Sequence, residues 1–251
     1  MSGHSKWATI KRQKGAADQK RGQTFTKLSI AITLAVRLGG GGEAEQNFRL
    51  RLAIEKARLA NMPKDNIERA IEKGMGRGAG GEEMQEVVYE GFGPSGIGAI
   101  VVEAVTDNRQ RTTGEVKNIF DKAGGTFGQP GCVSYQFENK GVITIEKGSM
   151  SFDDILLLAA DAGADDGEEV GEEVFIYTKP EALNKIREAL ATKVLVKEAE
   201  LVRKPTVTQQ VTDTQTFDKI TALIDKLEMY DDVQKVYTNI VLSDDLASKY
   251  E

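Results

Sequence analysis

The segment from Gly74 to Gly81 divides this chain into two parts with different hydrophobic patterns. Five of its eight residues are glycine, and glycine at this density behaves as a flexible connection between packed units. Before it, apolar residues recur with the 3.6-residue period of a helix, and after it short strand-like apolar runs dominate. A length of 251 residues also exceeds one small domain. The sequence therefore predicts a helical domain followed by α+β units.

Three helices are predicted before the glycines. The first runs from Thr24 or Thr26 to Leu38, where four glycines end it. The second covers residues 48–60, and the third has Pro63 in its first turn, a position that proline favours. Each helix carries one apolar stripe, so we expect the three to pack as a small bundle.

After the glycines, the order strand, strand, helix occurs twice. The first copy has strands at 84–92 and 97–105, and a helix for which Thr112 and Glu115 form a capping box. The second copy has strands at 132–137 and 142–145, with a turn at 139–141 between them and a helix that Ser151 opens; a strand, a helix and a strand follow at 173–178, 180–191 and 197–202.

The end of the chain supplies the strand, helix and strand that follow the second copy but not the first. It reads as a strand at 206–211, a helix at 214–228 and a strand at 233–242. We therefore predict that the second α+β module is inserted in the first. The expected domains are residues 1–80, residues 81–130 plus 205–251, and residues 131–204.

Charge is distributed very unevenly along the chain. The net charge is −6, but residues 1–80 hold sixteen Lys/Arg against seven Asp/Glu, a net charge of +9, which leaves −15 for the remainder. Such a division is typical of a domain that binds a polyanion and is attached to modules that a polyanion repels. Residues 1–22 are basic and lack apolar periodicity, which predicts a mobile arm.

Several function classes lack support in the sequence. The chain has no apolar run long enough for a membrane helix and no secretory signal pattern, so we expect a cytoplasmic protein that does not contact membranes. Cys132 is the only cysteine and His4 the only histidine, which leaves no ligand set for zinc. We expect no cofactor, no small-molecule substrate and no catalytic residues. The acidic runs between 165 and 173 lack the spacing of a calcium loop and are expected to be solvated.

Most candidate nucleic-acid contacts are basic or aromatic residues of the first 80 positions. The arm and the start of the first helix contribute Lys6, Trp7, Lys11, Arg12, Lys14, Lys20, Arg21 and Lys27, and the helices contribute Arg37, Lys64 and Arg69. The alternative for the arm is a solvated tail, and the alternative for the helical residues is pairing with nearby glutamates. Trp7 either anchors the arm to the bundle or stacks on an unpaired base.

Arg109 and Arg111 complete the set of candidate contacts. They follow Asp107 and Asn108 at a predicted helix N-terminus, where free backbone N–H groups favour an anion such as a phosphate. The alternative is local: Asp107 or Asn108 caps the helix, and Asp107 pairs with one of the arginines. Two glycine patterns, at 76–81 and 91–96, resemble a dinucleotide-binding loop but lack its strand–turn–helix context.

Several motifs resemble those of the YebC family, whose mitochondrial relative is the translational activator of cytochrome oxidase subunit one. They are Gly3-His-Ser-Lys-Trp7, Lys20-Arg-Gly22, Phe25-Thr-Lys27, Arg37-Leu-Gly39, Ala60-Asn-Met-Pro63, Asn66-Ile-Glu-Arg-Ala70, Tyr89-Glu-Gly91, Thr106-Asp-Asn-Arg109, Arg111-Thr112, Gly131-Cys-Val-Ser-Tyr135 and Asp232-Val-Gln234. The resemblance covers the whole chain. It implies a helical first domain, two ferredoxin-like modules and no enzyme activity.

The resemblance also implies two alternative roles. Family members are described as ribosome-associated factors that relieve stalling, for example at proline runs, and as DNA-binding transcriptional regulators. Our leading hypothesis is a translation factor that binds ribosomal or transfer RNA through its N-terminal domain. The alternative is a DNA-binding regulator that uses the same basic surface, since a phosphate contact carries no information on base or sugar.

Overall fold

A computed structural model of the protein describes residues 20–76 and 84–243, which contain seven α-helices and ten β-strands. The N-terminal part is helical, and both later parts combine strands with helices. The expected α and α+β architecture is therefore confirmed. We number the helices α1–α7 and the strands β1–β10 in chain order.

The N-terminal region consists of α1 (Lys20–Leu38), α2 (Phe48–Leu59) and α3 (Lys64–Gly74). Helix α1 begins earlier than the expected Thr24 or Thr26, so the sequence up to residue 22 is not all arm. Their shared core contains Ile32, Leu50 and Ala57, each fully buried. Burial of these apolar faces stabilises helices that would be marginal in isolation.

Asn47 fixes the loop between α1 and α2. Its side chain is buried and donates to the carbonyl oxygens of Ala35 at 2.8 Å and Gly41 at 2.9 Å. It also accepts from the backbone N–H of Leu50 at 3.0 Å, which caps α2. One amide side chain thus ties the end of α1 to the start of α2.

The first α+β module has four strands and two helices. It comprises β1 (Gln85–Phe92), β2 (Ala99–Thr106), α4 (Arg109–Lys122), β3 (Thr126–Phe127), α7 (Thr214–Met229) and β9 (Val233–Thr238). The sheet order is β3-β1-β2-β9, with β1 antiparallel to both β2 and β3. Two segments of the chain that are far apart in sequence therefore form one sheet, as expected for a module that another module interrupts.

The interrupting module lies between β3 and α7 in sequence. It comprises β4 (Phe137–Glu146), α5 (Phe152–Ala162), β5 (Asp166–Val170), β6 (Glu173–Thr178), α6 (Leu183–Ala191) and β7 (Leu195–Pro205). Its antiparallel sheet has the order β5-β6-β4-β7. This β-α-β-β-α-β sequence is that of a ferredoxin-like module. Strands β8 (Gln209–Val211) and β10 (Ile240–Leu242) form a separate parallel pair.

Several element predictions were wrong in detail. Of the strand expected at 132–137, residues 132–136 form a loop and a short 3-10 turn and only Phe137 is in a strand, and β4 runs straight through the turn expected at 139–141. Strands β3 and β5 were not predicted, and the strand expected at 233–242 is two strands. The expected capping box at α4 is also wrong, because Asn108 caps that helix.

The chain divides into two compact units. One includes residues 20–76, 84–134 and 213–237, and the other includes residues 135–212 and 238–243. The first domain boundary expected from the sequence, at residue 80, lies outside the described residues. We keep residues 1–80, 81–130 plus 205–251, and 131–204 as a proposal for the domains.

Candidate nucleic-acid interface

The candidate residues of the arm cannot be placed. Lys6, Trp7, Lys11, Arg12 and Lys14 lie outside the described residues. The backbone of Lys20 and Arg21 forms the first turn of α1. The structure therefore leaves the arm's contact with nucleic acid as a prediction.

Six basic side chains are exposed on α2 and α3, namely Arg49, Lys56, Arg58, Lys64, Arg69 and Lys73. Arg49 lies in the first turn of α2, and Lys64 and Lys73 lie at opposite ends of α3. Lys64 pairs with Glu68 at 3.3 Å, but the two side chains are 86% and 58% exposed. Water and salt screen such a pair, so it holds the lysine only weakly and leaves it able to contact a phosphate.

Arg69 is exposed but already oriented. Its Nε donates to the carbonyl oxygen of Asp65 at 3.1 Å, and its Nη2 donates to Oδ1 of Asn66 at 2.7 Å. These bonds fix the guanidinium along the first turns of α3. The remaining N–H groups of the fork can still donate to an anion.

Lys27 has a structural contact. Its ammonium donates to the carbonyl oxygen of Glu228, and Gln23 donates to that of Met229 at 3.4 Å. Both acceptors belong to the last turn of α7, where carbonyl groups lack helical partners and the helix dipole favours a cation. Lys27 therefore joins α1 to the end of α7. Arg37 is half-buried in the last turn of α1.

Arg111 lies in an ion-pair cluster at the start of α4. Its Nη2 donates to Asp232 at 3.2 Å and to Asp107 at 2.7 Å. The bond to Asp232, followed by bonds to Tyr230 and Asp107, raises the pKa of Arg111 above its ordinary value. Of the two arginines that could pair with Asp107, the structure shows Arg111 in this role, and Arg109 is exposed in the first turn of α4.

Asp232 is the centre of that cluster. Besides Arg111, it accepts hydrogen bonds from the hydroxyl of Thr112 at 2.6 Å and from that of Tyr230 at 3.1 Å. Asp232 lies in the turn between α7 and β9, whereas Thr112 lies in α4. One carboxylate thus connects the two sequence segments of the first α+β module. The family motif at 232–234 was visible in the sequence, but nothing there indicated this partner 120 residues away.

Sequence reasoning also missed Glu90. Its carboxylate lies on β1, is only 6% exposed, and accepts from the backbone N–H groups of Gly131 at 2.7 Å, Val133 at 2.8 Å and Ser134 at 2.8 Å. Burial alone would raise the pKa of Glu90, but the three backbone hydrogen bonds together lower it below its ordinary value. Two of the family-like motifs therefore meet here. The motif at 89–91 supplies the carboxylate, and the motif at 131–135 supplies the loop that the carboxylate binds.

Cys132 lies in that loop and is half-buried. Burial raises the pKa of its thiol, and the neighbouring charge of Glu90 raises it further. A thiol in this state is a poor nucleophile at neutral pH.

The acidic runs of the second module are paired with lysines. Lys204 contacts Asp166 at 2.8 Å, Lys140 contacts Asp165 at 2.9 Å, and Lys147 contacts Glu169. The bond from Lys204 lowers the pKa of Asp166. Within residues 20–76 and 84–243, His, Cys, Asp and Glu form no group that could hold a metal ion.

Comparison with known proteins identifies the family. Residues 5–77 match the model of the TACO1/YebC protein N-terminal domain, and residues 84–240 match that of the TACO1/YebC second and third domain. The chain belongs to the TACO1/YebC family. The resemblance of the sequence motifs is thereby confirmed.

Relatives in this family are similar over their full length. A probable transcriptional regulatory protein of Persephonella marina is 49% identical, with 99% of each chain covered. A probable transcriptional regulatory protein of Chloroflexus aurantiacus is 48% identical, with 100% of each chain covered. The crystal structure of Aq1575, a conserved hypothetical protein of Aquifex aeolicus, is 45% identical with a TM-score of 0.83, and the match covers 91% of this chain and 93% of that one. This TACO1/YebC chain is therefore similar in sequence to relatives named as probable regulators, and similar in fold to a conserved hypothetical protein.

Proposed function

We propose that this protein is a non-enzymatic regulator that binds nucleic acid through its basic N-terminal region, with duplex DNA as its target. The names of its relatives, which describe probable transcriptional regulatory proteins, support a role in transcription. The observation that carries the proposal is the net charge of +9 in residues 1–80 of a chain whose total charge is −6. A polyanion is the natural partner of such a region.

The described side chains support this assignment for part of the surface. Arg49, Lys64 and Lys73 are exposed and stand on helices with a well-packed core. Rigid helices keep cationic groups at fixed positions, which lowers the entropy cost of phosphate contacts. Lys27 and Arg111 support the fold instead, so we expect them to add little to binding.

The first test reverses the charge of these three exposed residues. The variant Arg49→Glu, Lys64→Glu, Lys73→Glu is titrated with labelled duplex DNA by fluorescence anisotropy across a salt series. If all three contact phosphates, the slope of log K against log salt becomes shallower by about 2.7, or about 0.9 per contact. The matched control is Lys117→Glu, Lys122→Glu, Lys185→Glu, which reverses three exposed lysines elsewhere in the chain. An equal loss in both variants would show only a net-charge effect.

A second variant tests the arm. Reversing Lys11, Arg12, Lys14 and Lys20 is expected to abolish nucleic-acid binding and leave the thermal unfolding of the protein unchanged. Unchanged affinity in both this variant and the helix variant would refute the proposed interface.

The translation factor remains a second candidate, and one observation favours it. In the described helices, exposed basic residues are spread over α2 and α3 and are not concentrated on one helix that could enter a major groove. Contacts of this kind are made to phosphates and need no major groove, so they suit ribosomal RNA better than a defined site on duplex DNA. In that case the protein would bind the ribosome and relieve stalling, for example at proline runs, and the regulated step would be translation instead of transcription.

Sedimentation with ribosomes separates the two candidates. The protein is centrifuged with ribosomes across a salt series, with an equal mass of duplex DNA as competitor. Binding that survives the duplex would establish ribosomal or transfer RNA as the target, and binding lost to the duplex supports DNA. A cytoplasmic location and the absence of a cofactor belong to both proposals. No described helix is long and apolar enough to cross a membrane.

A further inference from the structure

Three stretches of the sequence carry no charged residue, although Asp, Glu, Lys and Arg make up 29% of the chain. They are residues 123–137, 205–212 and 236–243. Of these, residues 135–137, 205–212 and 238–243 belong to one compact unit. The contacts inside that unit show how the three stretches meet.

Gln136 joins the three stretches by hydrogen bonds. Its carbonyl oxygen accepts from the backbone N–H of Thr206 at 2.8 Å and from the hydroxyl of Thr206 at 3.0 Å. Its side-chain oxygen accepts from Nδ2 of Asn239 at 2.9 Å. The uncharged patch around this junction, which we call the neutral surface, consists of Tyr135, Gln136, Thr206 and Val207, none of which is buried.

Tyr135 is the most prominent residue of the neutral surface. It is 75% exposed, more than any other large apolar or aromatic residue within 20–76 and 84–243, and Val207 is 60% exposed. Tyr135 and Val207 are the chain neighbours of the bonded pair Gln136 and Thr206, so the two lie close together. An aromatic ring and an aliphatic side chain are thus both open to solvent at one place.

Hydrogen bonds orient the ring of Tyr135. Nε2 of Gln136 donates to the hydroxyl oxygen of Tyr135 at 3.2 Å. The bond from Asn239, which is only 2% exposed, fixes the orientation of that amide. The residue before the tyrosine is also held, because the backbone N–H of Ser134 donates to Glu90 at 2.8 Å. An oriented and accessible ring loses little conformational entropy when a ligand contacts it.

The groups of the neutral surface match the chemistry of a nucleobase. Any base can stack on an exposed aromatic ring, because every base has a π-face. The hydroxyl of Tyr135 and the second N–H of the Gln136 amide can also donate hydrogen bonds to a base edge. No charged residue belongs to the neutral surface, so it suits an uncharged group and not a phosphate.

The size of the neutral surface also favours a single base. A stable protein–protein interface takes about 800 Å² and roughly 20–30 residues from each partner. The neutral surface has four residues. A base needs only one ring on which to stack, whereas a folded protein partner needs a much larger area.

We propose that the neutral surface binds an unpaired nucleobase, which stacks on the ring of Tyr135. This inference rests on the proposed function, because it takes nucleic acid as the partner. It adds a base contact to the phosphate contacts assigned to the N-terminal region, which by themselves do not read bases. A fully paired duplex offers no free base face to the ring, whereas single-stranded DNA and RNA both do.

The test variant is Tyr135→Ala, which removes the ring. Tyr135→Phe keeps the ring and loses only the hydroxyl, and the matched control is Leu157→Ala, which truncates a 63% exposed leucine of α5 in the same unit. Each full-length protein is titrated by fluorescence anisotropy with a labelled DNA strand, an RNA strand of the same sequence and the fully paired DNA duplex. Circular dichroism checks the fold of every variant.

Loss of the stacked base is expected to weaken single-strand binding by Tyr135→Ala about 5- to 150-fold. Tyr135→Phe and Leu157→Ala should bind single strands nearly as tightly as the wild type. The slope of log K against log salt should not change, because no phosphate contact is removed. The strand, DNA or RNA, that shows the larger loss identifies the source of the base.

Three results would overturn the proposal. The first is equal single-strand affinity in the wild type and Tyr135→Ala. The second is a loss on the paired duplex as large as the loss on single strands. The third is a Tyr135→Phe protein as weak as Tyr135→Ala, because stacking depends on the ring and not on the hydroxyl.

Photo-cross-linking locates the base directly. A single strand that contains 5-iodouracil is irradiated with the wild-type protein, and mass spectrometry is expected to find the link at Tyr135. Links found only elsewhere in the chain would contradict the assignment. If single strands bind and link to Tyr135 but the paired duplex does not bind, duplex DNA fails as the target and the base site stands. Duplex binding with no effect of Tyr135→Ala on single strands has the opposite meaning.

Discussion

Replacing Glu90 by glutamine removes the negative charge to which three backbone N–H groups donate hydrogen bonds. Oε2 accepts from Val133 and Ser134, and Oε1 accepts from Gly131. A glutamine keeps its oxygen for one side and directs an NH₂ group to the other, so two donors then face each other in a site that is 6% exposed. We therefore expect the loop from 131 to 134 to become more mobile than the rest of the module.

The expected loss of stability follows from these contacts. A hydrogen bond to a charged group contributes about 1.5–3 kcal/mol, and a buried donor left without an acceptor costs about 1–3 kcal/mol. The bonds that glutamine retains become neutral and weaker. We therefore expect the free energy of unfolding of Glu90→Gln to fall by about 2–4 kcal/mol.

Urea denaturation followed by circular dichroism measures this change, and hydrogen exchange locates it. The amides of Gly131, Val133 and Ser134 should exchange faster in the variant. The control is Glu86→Gln, an exposed position on the same strand, for which we expect a change within about 0.5 kcal/mol. A Glu90→Gln protein with wild-type stability and wild-type protection of those amides would refute the role assigned to the carboxylate.

The same carboxylate makes stability depend on pH. Because the pKa of Glu90 is lower in the folded protein than its ordinary value of 4.5, the unfolded chain binds the proton first as the pH falls. The stabilisation is therefore fully present above about pH 4.5 and is lost as the pH falls through the folded pKa. Glu90→Gln should lack this part of the acid sensitivity.

Two further substitutions test other contacts. Asp232→Ala removes the acceptor of Thr112, Tyr230 and Arg111, so we expect the free energy of unfolding in urea to fall by about 2–3 kcal/mol. The control Asp231→Ala, at an exposed position, should change it hardly at all. Equal losses in the two variants would show that these hydrogen bonds do not stabilise the fold. Gly141→Ala would place a Cβ atom 2.9 Å from Leu183, and we expect it to cost about 1–3 kcal/mol. Gly114→Ala, in a helix with open space around the position, should instead stabilise by about 0.5–1 kcal/mol; a destabilised Gly114→Ala would contradict this packing argument.

Helices and apolar strands could be predicted from the sequence because their signals are local. The Ser151 cap of α5 is where the sequence places it, and Gly163 ends the helix in the left-handed conformation that glycine favours. Strand β5 was missed because its sequence, Asp-Gly-Glu-Glu-Val, lacks the apolar alternation on which strand prediction depends. It is an edge strand, and acidic residues there also discourage pairing with other chains.

Gly141 shows why a local signal can mislead. Asn, Lys and Gly in succession are typical of a turn, but β4 continues through them. The glycine is required because helix α6 approaches the strand so closely that a side chain would meet Leu183 and Thr178. Only the packing of the helix on the sheet distinguishes this requirement from that of a turn.

The site was less predictable than the fold because its contacts are distant in sequence. Lys27 was expected at a phosphate, but its ammonium binds a carbonyl group 201 residues away. Arg111 and Glu90 likewise have partners 121 and 41–44 residues away. Sequence composition indicates how much charge a region carries, whereas tertiary structure determines which charges remain for a ligand.

Because the first α+β module is interrupted in sequence, its sheet can be completed only late in synthesis. Strand β2 ends at Thr106, but its neighbour β9 begins only at Val233, after the whole of the other sheet has been made. At about 5–20 residues per second, a ribosome needs roughly 6–25 s to cover that interval. Throughout it, β2 presents an unpaired edge that can join a strand of another nascent chain. Chaperone protection of this hairpin should therefore matter most before residue 233 leaves the ribosome, and slower translation should lengthen the period of risk.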